Sequence, residues 1–117
     1  MLDRTIVETS LHGVPVLTIV GEADHTIGPE LKQAVRGALD SGGAHIFLDL
    51  GLCPYLDSGG LNVIVQLVHD VGPAGWVGVI QASSMILRLL ELVGLTTYGR
   101  LRVFEDLEDA GAAAAAI

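Results

Sequence analysis

Cysteine, aromatic residues, basic residues and long apolar runs are all scarce in this sequence. There is one cysteine, Cys53, so no internal disulfide can form. A chain of 117 residues must then be held together by its core alone. A lone thiol also suits a reducing compartment, so the chain is expected to be cytoplasmic. Flanked by Leu52 and Pro54, Cys53 reads as a small buried filler. Basic residues number six against fourteen acidic ones, a formal charge of -8. Such a surface repels phosphate backbones and anionic membranes, so direct nucleic-acid binding is not expected. The apolar stretches are broken by Gly, Asp or Gln well short of the ~18 residues a membrane span requires. The opening MLDRTIVETS lacks the apolar centre of a signal peptide. Neither membrane insertion nor export is therefore expected.

What the chain does have is apolar residues, 50% of the total, arranged in alternating periods. Its length suits one domain over 1–117. TIVETSLHGVPVLTIVG predicts a hairpin turning at LHG, with Pro15 at a strand start or edge. Pro29 opens a helix whose inner face carries Leu31, Ala34, Val35, Ala38 and Leu39, stopped by SGG at 41–43. HIFLDL (45–50) predicts a strand buried on both faces. A second helix begins at Ser58 with Leu61, Ile64, Val65 and Val68 inward, ended by GPAG (72–75). WVGVI (76–80) follows as a central strand, with Trp76 in the core or at its rim. A third helix, MILRLLELV, is capped by Ser83 or Ser84 and closed by Gly94. Ile86, Leu89, Leu90 and Val93 form its inner stripe, which leaves Met85, Leu87 and Leu92 to cover a sheet edge or make a second contact. LRVF (101–104) is the last strand; EDLEDA is a short helix, and the Ala-rich end from about 110 to 117 is expected to fray. Strands alternating with helices imply an α/β fold: a mixed, mostly parallel sheet of four to five strands.

In such a sheet, sites gather where the strands end, here on loops 22–28, 51–58 and 81–84. YLDSGGLN (55–62) lies on the middle loop and delivers Ser58 to the first turn of a helix. Unpaired N–H groups and the positive end of the helix dipole would receive a phosphate there, with Gly59 and Gly60 leaving them unshielded. The plainer reading makes Ser58 an ordinary N-cap, stabilising by about 1 kcal/mol. Asp24 reads as a loop or capping acid. Asp49 ends a strand, as a phosphoacceptor aspartate would, but no acidic pair accompanies it and no lysine lies beyond position 32. The segment is neither a Gly-x-Ser-x-Gly elbow nor a P-loop, so no catalytic residue is assigned. His12, His25, His45 and His69 show no metal-ligand spacing, and no metal or cofactor is expected.

HIFLDLGLCPYLDSGGLNVIVQLV resembles the core block of STAS domains: a strand ending Asp-Leu, a loop, Asp-Ser-x-Gly-Leu and an apolar helix. VLTIVGEADHTIGPELKQAV resembles their earlier block, Gly-Glu-x-Asp followed by a Pro-Glu-Leu helix. Gly59 departs from the Ser or Thr common at its place. EADH departs from Glu-Leu-Asp, and Asn62 stands where a small residue is common. The resemblance covers nearly the whole chain and is to bacterial anti-sigma factor antagonists. It implies a non-enzymatic regulator of transcription that binds an anti-sigma factor when unphosphorylated, releasing a sigma factor. It implies Ser58 as phosphoacceptor, a partner that is a serine kinase of histidine-kinase-like ATPase fold, and a restoring phosphoserine phosphatase. The implied partner surface is Asp24, His25, Asp57, Ser58, Gly59, Gly60, Leu61 and Asn62. Two other readings are an unphosphorylated STAS scaffold or accessory subunit, of a signalling or lipid-transport assembly, and a small-ligand or nucleotide sensor.

Overall fold

A computed structural model describes residues 5–39, 44–71, 74–95 and 100–117. The predicted stop at 41–43 and the first two residues of the one at 72–75 lie outside them. The first two strands, β1 (Thr5–Leu11) and β2 (Val14–Val20), form the expected hairpin. Its turn is shorter than LHG: two residues, His12 and Gly13, both with positive φ (49° and 82°). That geometry matches the twist of the flanking strands, and glycine adopts it without strain. Pro15 sits one residue before β2 begins to pair with β3, where a missing N–H does no harm.

Helix α1 (Gly28–Leu39) leads to β3 (His45–Asp49), α2 (Ser58–Asp70) to β4 (Trp76–Ile80), and α3 (Ser84–Leu92) to β5 (Leu101–Phe104). The sheet order is β1-β2-β3-β4-β5, antiparallel at β1 and parallel across the other four strands. Each crossover advances one strand in the same direction, so α1, α2 and α3 all return over one face. Their apolar stripes meet Leu17, Ile19, Ile46, Leu48, Val77 and Val79 there. Ile46, Phe47 and Leu48 have no exposure, so β3 is buried on both faces as its apolar run predicts.

Two inner stripes differ from the periodicity. In α2, Leu67 is buried and Val65 only partly so. In α3, Ile86 and Leu90 are fully buried, Leu87 packs against the core, and Val93 is 47% exposed. A nine-residue helix ends at Leu92, and Val93 is already its cap, so the stripe stops one position short. Ser83, not Ser84, caps α3 at its start, its Oγ accepting from the Ile86 N–H at 3.2 Å.

The Ala-rich end, expected to fray, instead belongs to α4 (Leu107–Ala115), started by an Asp106 side chain that accepts from the Asp109 N–H at 2.8 Å. Ala110 and Ala114, one turn apart, are buried against Val14, Val16, Phe47, Trp76 and Ile80 on the sheet's second face. Small side chains let the helix lie close to the strands. Packing, which local sequence does not reveal, supplies the stability a short isolated helix lacks.

Ile64 is 1% exposed at the centre of α2. Ile64→Ala should destabilise the protein by about 2–5 kcal/mol, read as a lower urea midpoint at unchanged slope. A midpoint equal to wild type would contradict this packing.

Candidate functional site

The strand-end loops are joined by backbone hydrogen bonds. After β2, the Gly21 N–H donates to the Leu52 carbonyl (3.1 Å) and the Ala23 N–H to the Tyr55 carbonyl (2.9 Å). The Ala23 carbonyl in turn accepts from the Asp57 N–H at 3.2 Å. Ala23 and Leu56 thus form a parallel bridge that prolongs the β2–β3 pairing beyond the strands. On the other side, the Leu50 N–H donates to the Ile80 carbonyl at 2.9 Å, and the Gln81 side chain approaches Gly51. The three loops therefore lie side by side, as their places in the sequence imply.

Asp57, not Ser58, is the N-cap of α2: its Oδ1 accepts from the Gly60 N–H at 2.8 Å. The capping alternative for Ser58 is overturned, because Ser58 is the first helical residue and is exposed. Asp24 caps the short 3-10 turn His25–Ile27 that precedes α1, accepting from the Thr26 N–H at 2.9 Å and from the Thr26 hydroxyl. That turn packs against α2. Asp24 thus stands one residue beyond the carbonyl that receives the Asp57 N–H, on the loop beside Ser58.

The predicted contact residues divide into two groups. Ser58 and Asn62 are exposed, and Asp24, Asp57 and Gly59 are partly so. His25 has its backbone on the adjoining turn. Gly60 and Leu61 are buried, Leu61 at 8% exposure, so they shape the loop rather than offer surface. Nor is Gly60 an open donor, since Asp57 holds its N–H. The first-turn N–H groups of Ser58 and Gly59 have no acceptor among the described residues, so the local positive field of the helix end is directed at the Ser58 surface.

Sequence reasoning missed two neighbours. Leu52 is 61% exposed and Tyr55 45% exposed on the same loop, beside the buried Cys53 and Leu56. Both stand on the loop that leads into Ser58, where exposed apolar side chains can form part of a contact surface. The only hint in the sequence was the large apolar residues Leu52, Tyr55 and Leu56 inside a loop, and which of them stays exposed depends on the bridge to Ala23. Cys53 is 3% exposed, its Sγ 3.3 Å from the Tyr55 carbonyl oxygen. Burial pushes its thiol pKa up, so it is the inert filler the sequence suggests.

Asp49 is occupied in turning the chain: its Oδ1 accepts from the Gly51 N–H at 2.9 Å. No group of His, Cys, Asp and Glu among the described residues could hold a metal ion.

A family model described as "Mlab, STAS domain" matches residues 7–115. The chain belongs to the STAS family. Among curated proteins it is similar to "Anti-sigma-F factor antagonist RsfB" of Mycobacterium tuberculosis, 28% identical over 106 residues, which is 91% of this chain and 85% of that protein. Among solved STAS folds, an anti-sigma factor antagonist from Mycobacterium paratuberculosis superposes with a TM-score of 0.81 at 25% identity, covering 97% of this chain and 95% of that one. The anti-sigma factor antagonist SpoIIAA in its unphosphorylated form gives 0.73 at 16% identity, covering 98% of this chain and 100% of that one. These last proportions establish the shared STAS fold: five strands, mostly parallel, with four helices.

Proposed function

We propose that this STAS protein is an anti-sigma factor antagonist. Its surface at the start of α2 binds an anti-sigma factor, and phosphorylation of Ser58 by that partner, a serine kinase, ends the binding. A phosphoserine phosphatase restores it. The observation that carries this reading is the division of labour at the helix start. Asp57 takes the cap, which leaves the Ser58 hydroxyl exposed and without a structural task. The adjacent Ser58 and Gly59 amides can receive phosphate oxygens. Exposed Leu52 and Tyr55 give the partner an apolar anchor next to the switch. The named relatives, antagonists of anti-sigma factors, support the same role.

Incubation with ATP and candidate kinases, followed by phosphopeptide mapping, tests the acceptor. The expected result is one label, on the peptide containing Ser58, absent from Ser58→Ala. Label on Ser83 or Ser84, or none, would refute it.

A constitutive scaffold is the second reading. Leu92 (72% exposed), Met85 (52%) and Val93 (47%) on and just after α3 favour it, since they offer a contact that no modification at Ser58 would reach. Persistent partner binding after stoichiometric phosphorylation would select that reading.

A further inference from the structure

At the opposite end of the sheet, α2, β3, β4, β5 and α4 enclose an open cavity of about 780 Å³. That lies within the roughly 300–1,000 Å³ of small-molecule sites. Its described lining includes His45, His69, Trp76, Arg100 and Arg102, and no Asp or Glu. The chain carries fourteen acidic and six basic side chains, so two arginines and two of its four histidines converging without an acidic side chain among the described lining residues runs against its composition.

The strands set this arrangement. His45 pairs across the sheet with Trp76, and the β4–β5 register places Arg100 next in that row. Arg102, two residues on, points to the same face. The Trp76 and His45 rings lie 4.7 Å apart, and the Arg102 guanidinium sits 5.3 Å from the centre of the Trp76 ring. This cation–π contact holds the guanidinium beside the ring, and a guanidinium can grip a planar anion through two parallel N–H donors. Neither arginine has a carboxylate partner among the described residues, and the His45 Nδ1 is buried without a hydrogen-bond partner.

We infer that this cavity binds a small polyanion, its phosphate or carboxylate groups held by Arg100 and Arg102, with Trp76 as the residue that positions Arg102. A compact ligand fits better than an extended one. The cationic surface is concave and local, and the rest of a chain of charge -8 repels a polymer of like sign.

Titration of the full chain with inorganic pyrophosphate and, separately, with citrate tests this by calorimetry and by the emission of Trp76, the only tryptophan. Saturable binding below about 1 mM is expected for at least one probe, and the stronger probe tells phosphate from carboxylate recognition. Arg100→Gln and Arg102→Gln should each weaken binding by about tenfold or more. Arg102→Lys, which keeps the charge but loses the planar fork, should also weaken it. Arg36→Gln, a basic residue on α1 outside the cavity, should bind as wild type does, which separates the site from a general effect of lost positive charge. Unchanged urea midpoints would show that the variants are folded. No saturable response to either probe, or equal affinity in wild type and the Arg100/Arg102 double variant, would overturn the proposal.

Discussion

Gly60→Ala should destabilise the protein by roughly 2–4 kcal/mol, although alanine is the better helix former by about 1 kcal/mol. A Cβ at position 60 would lie 2.2 Å from the Ala23 carbonyl oxygen, 2.9 Å from its carbon and 2.8 Å from Leu56 Cδ1. The first contact is with backbone, which cannot rotate away. That same carbonyl accepts the Asp57 N–H, and the Ala23 N–H is tied to Tyr55, so any relief must pull apart loops that are bonded in series. The rearrangement should loosen the Ala23–Leu56 bridge and with it the Asp57 cap. Gly37→Ala is the control. It is also a helical glycine, in α1, but a Cβ there meets nothing within 4 Å. That variant should be more stable by about 0.5–1 kcal/mol. Urea denaturation of both decides the matter; equal midpoints would mean that the two loops are not held as closely as described.

This pair of glycines also marks how much was legible in the sequence. Both stand in helical periodicity, and nothing local separates them. The difference lies in Ala23, a residue 37 positions away from Gly60. Elements whose pattern reports their own burial were readable: the apolar run of β3, the period of α1 and the hairpin before them. The strand-end placement of Asp24 and Ser58 followed from topology alone. Whatever depended on a second element was not readable. The alanines of α4 look like a loose end until the valines of β2 lie beneath them. Leu52 and Tyr55 cannot be told from the buried Cys53 and Leu56 without the bridge that orients their loop. Asp57 and Ser58 are both good capping residues, and only the path of the loop into α2 decides that the acid takes the cap.

Under the proposed function, Ser58→Asp should weaken binding of the anti-sigma factor strongly, by several kcal/mol, and leave the fold intact. The two halves of this expectation have separate causes. Within the protein, added negative charge at the first residue of α2 meets the unpaired amides of Ser58 and Gly59 and the positive end of the helix. Asp57 retains the cap through Gly60, so no existing hydrogen bond of the site must break. At the partner surface the balance reverses. A phosphate brings about -1.5 to -2 charge to an exposed position already flanked by Asp57 and Asp24. A partner packed on Leu52 and Tyr55 would have to strip water from that charge without supplying hydrogen bonds equal to those lost. An ATP-binding partner that presents phosphates or acids here would add like-charge repulsion. Ser58→Ala, which keeps the size and neutrality of the surface, should bind the partner whether or not ATP is present. Circular dichroism should be native for both variants, and Ser58→Asp should match wild type in its urea midpoint to within about 0.5 kcal/mol. Calorimetry with the purified partner gives the decision: if Ser58→Asp and wild type bind with equal affinity, Ser58 is not the switch.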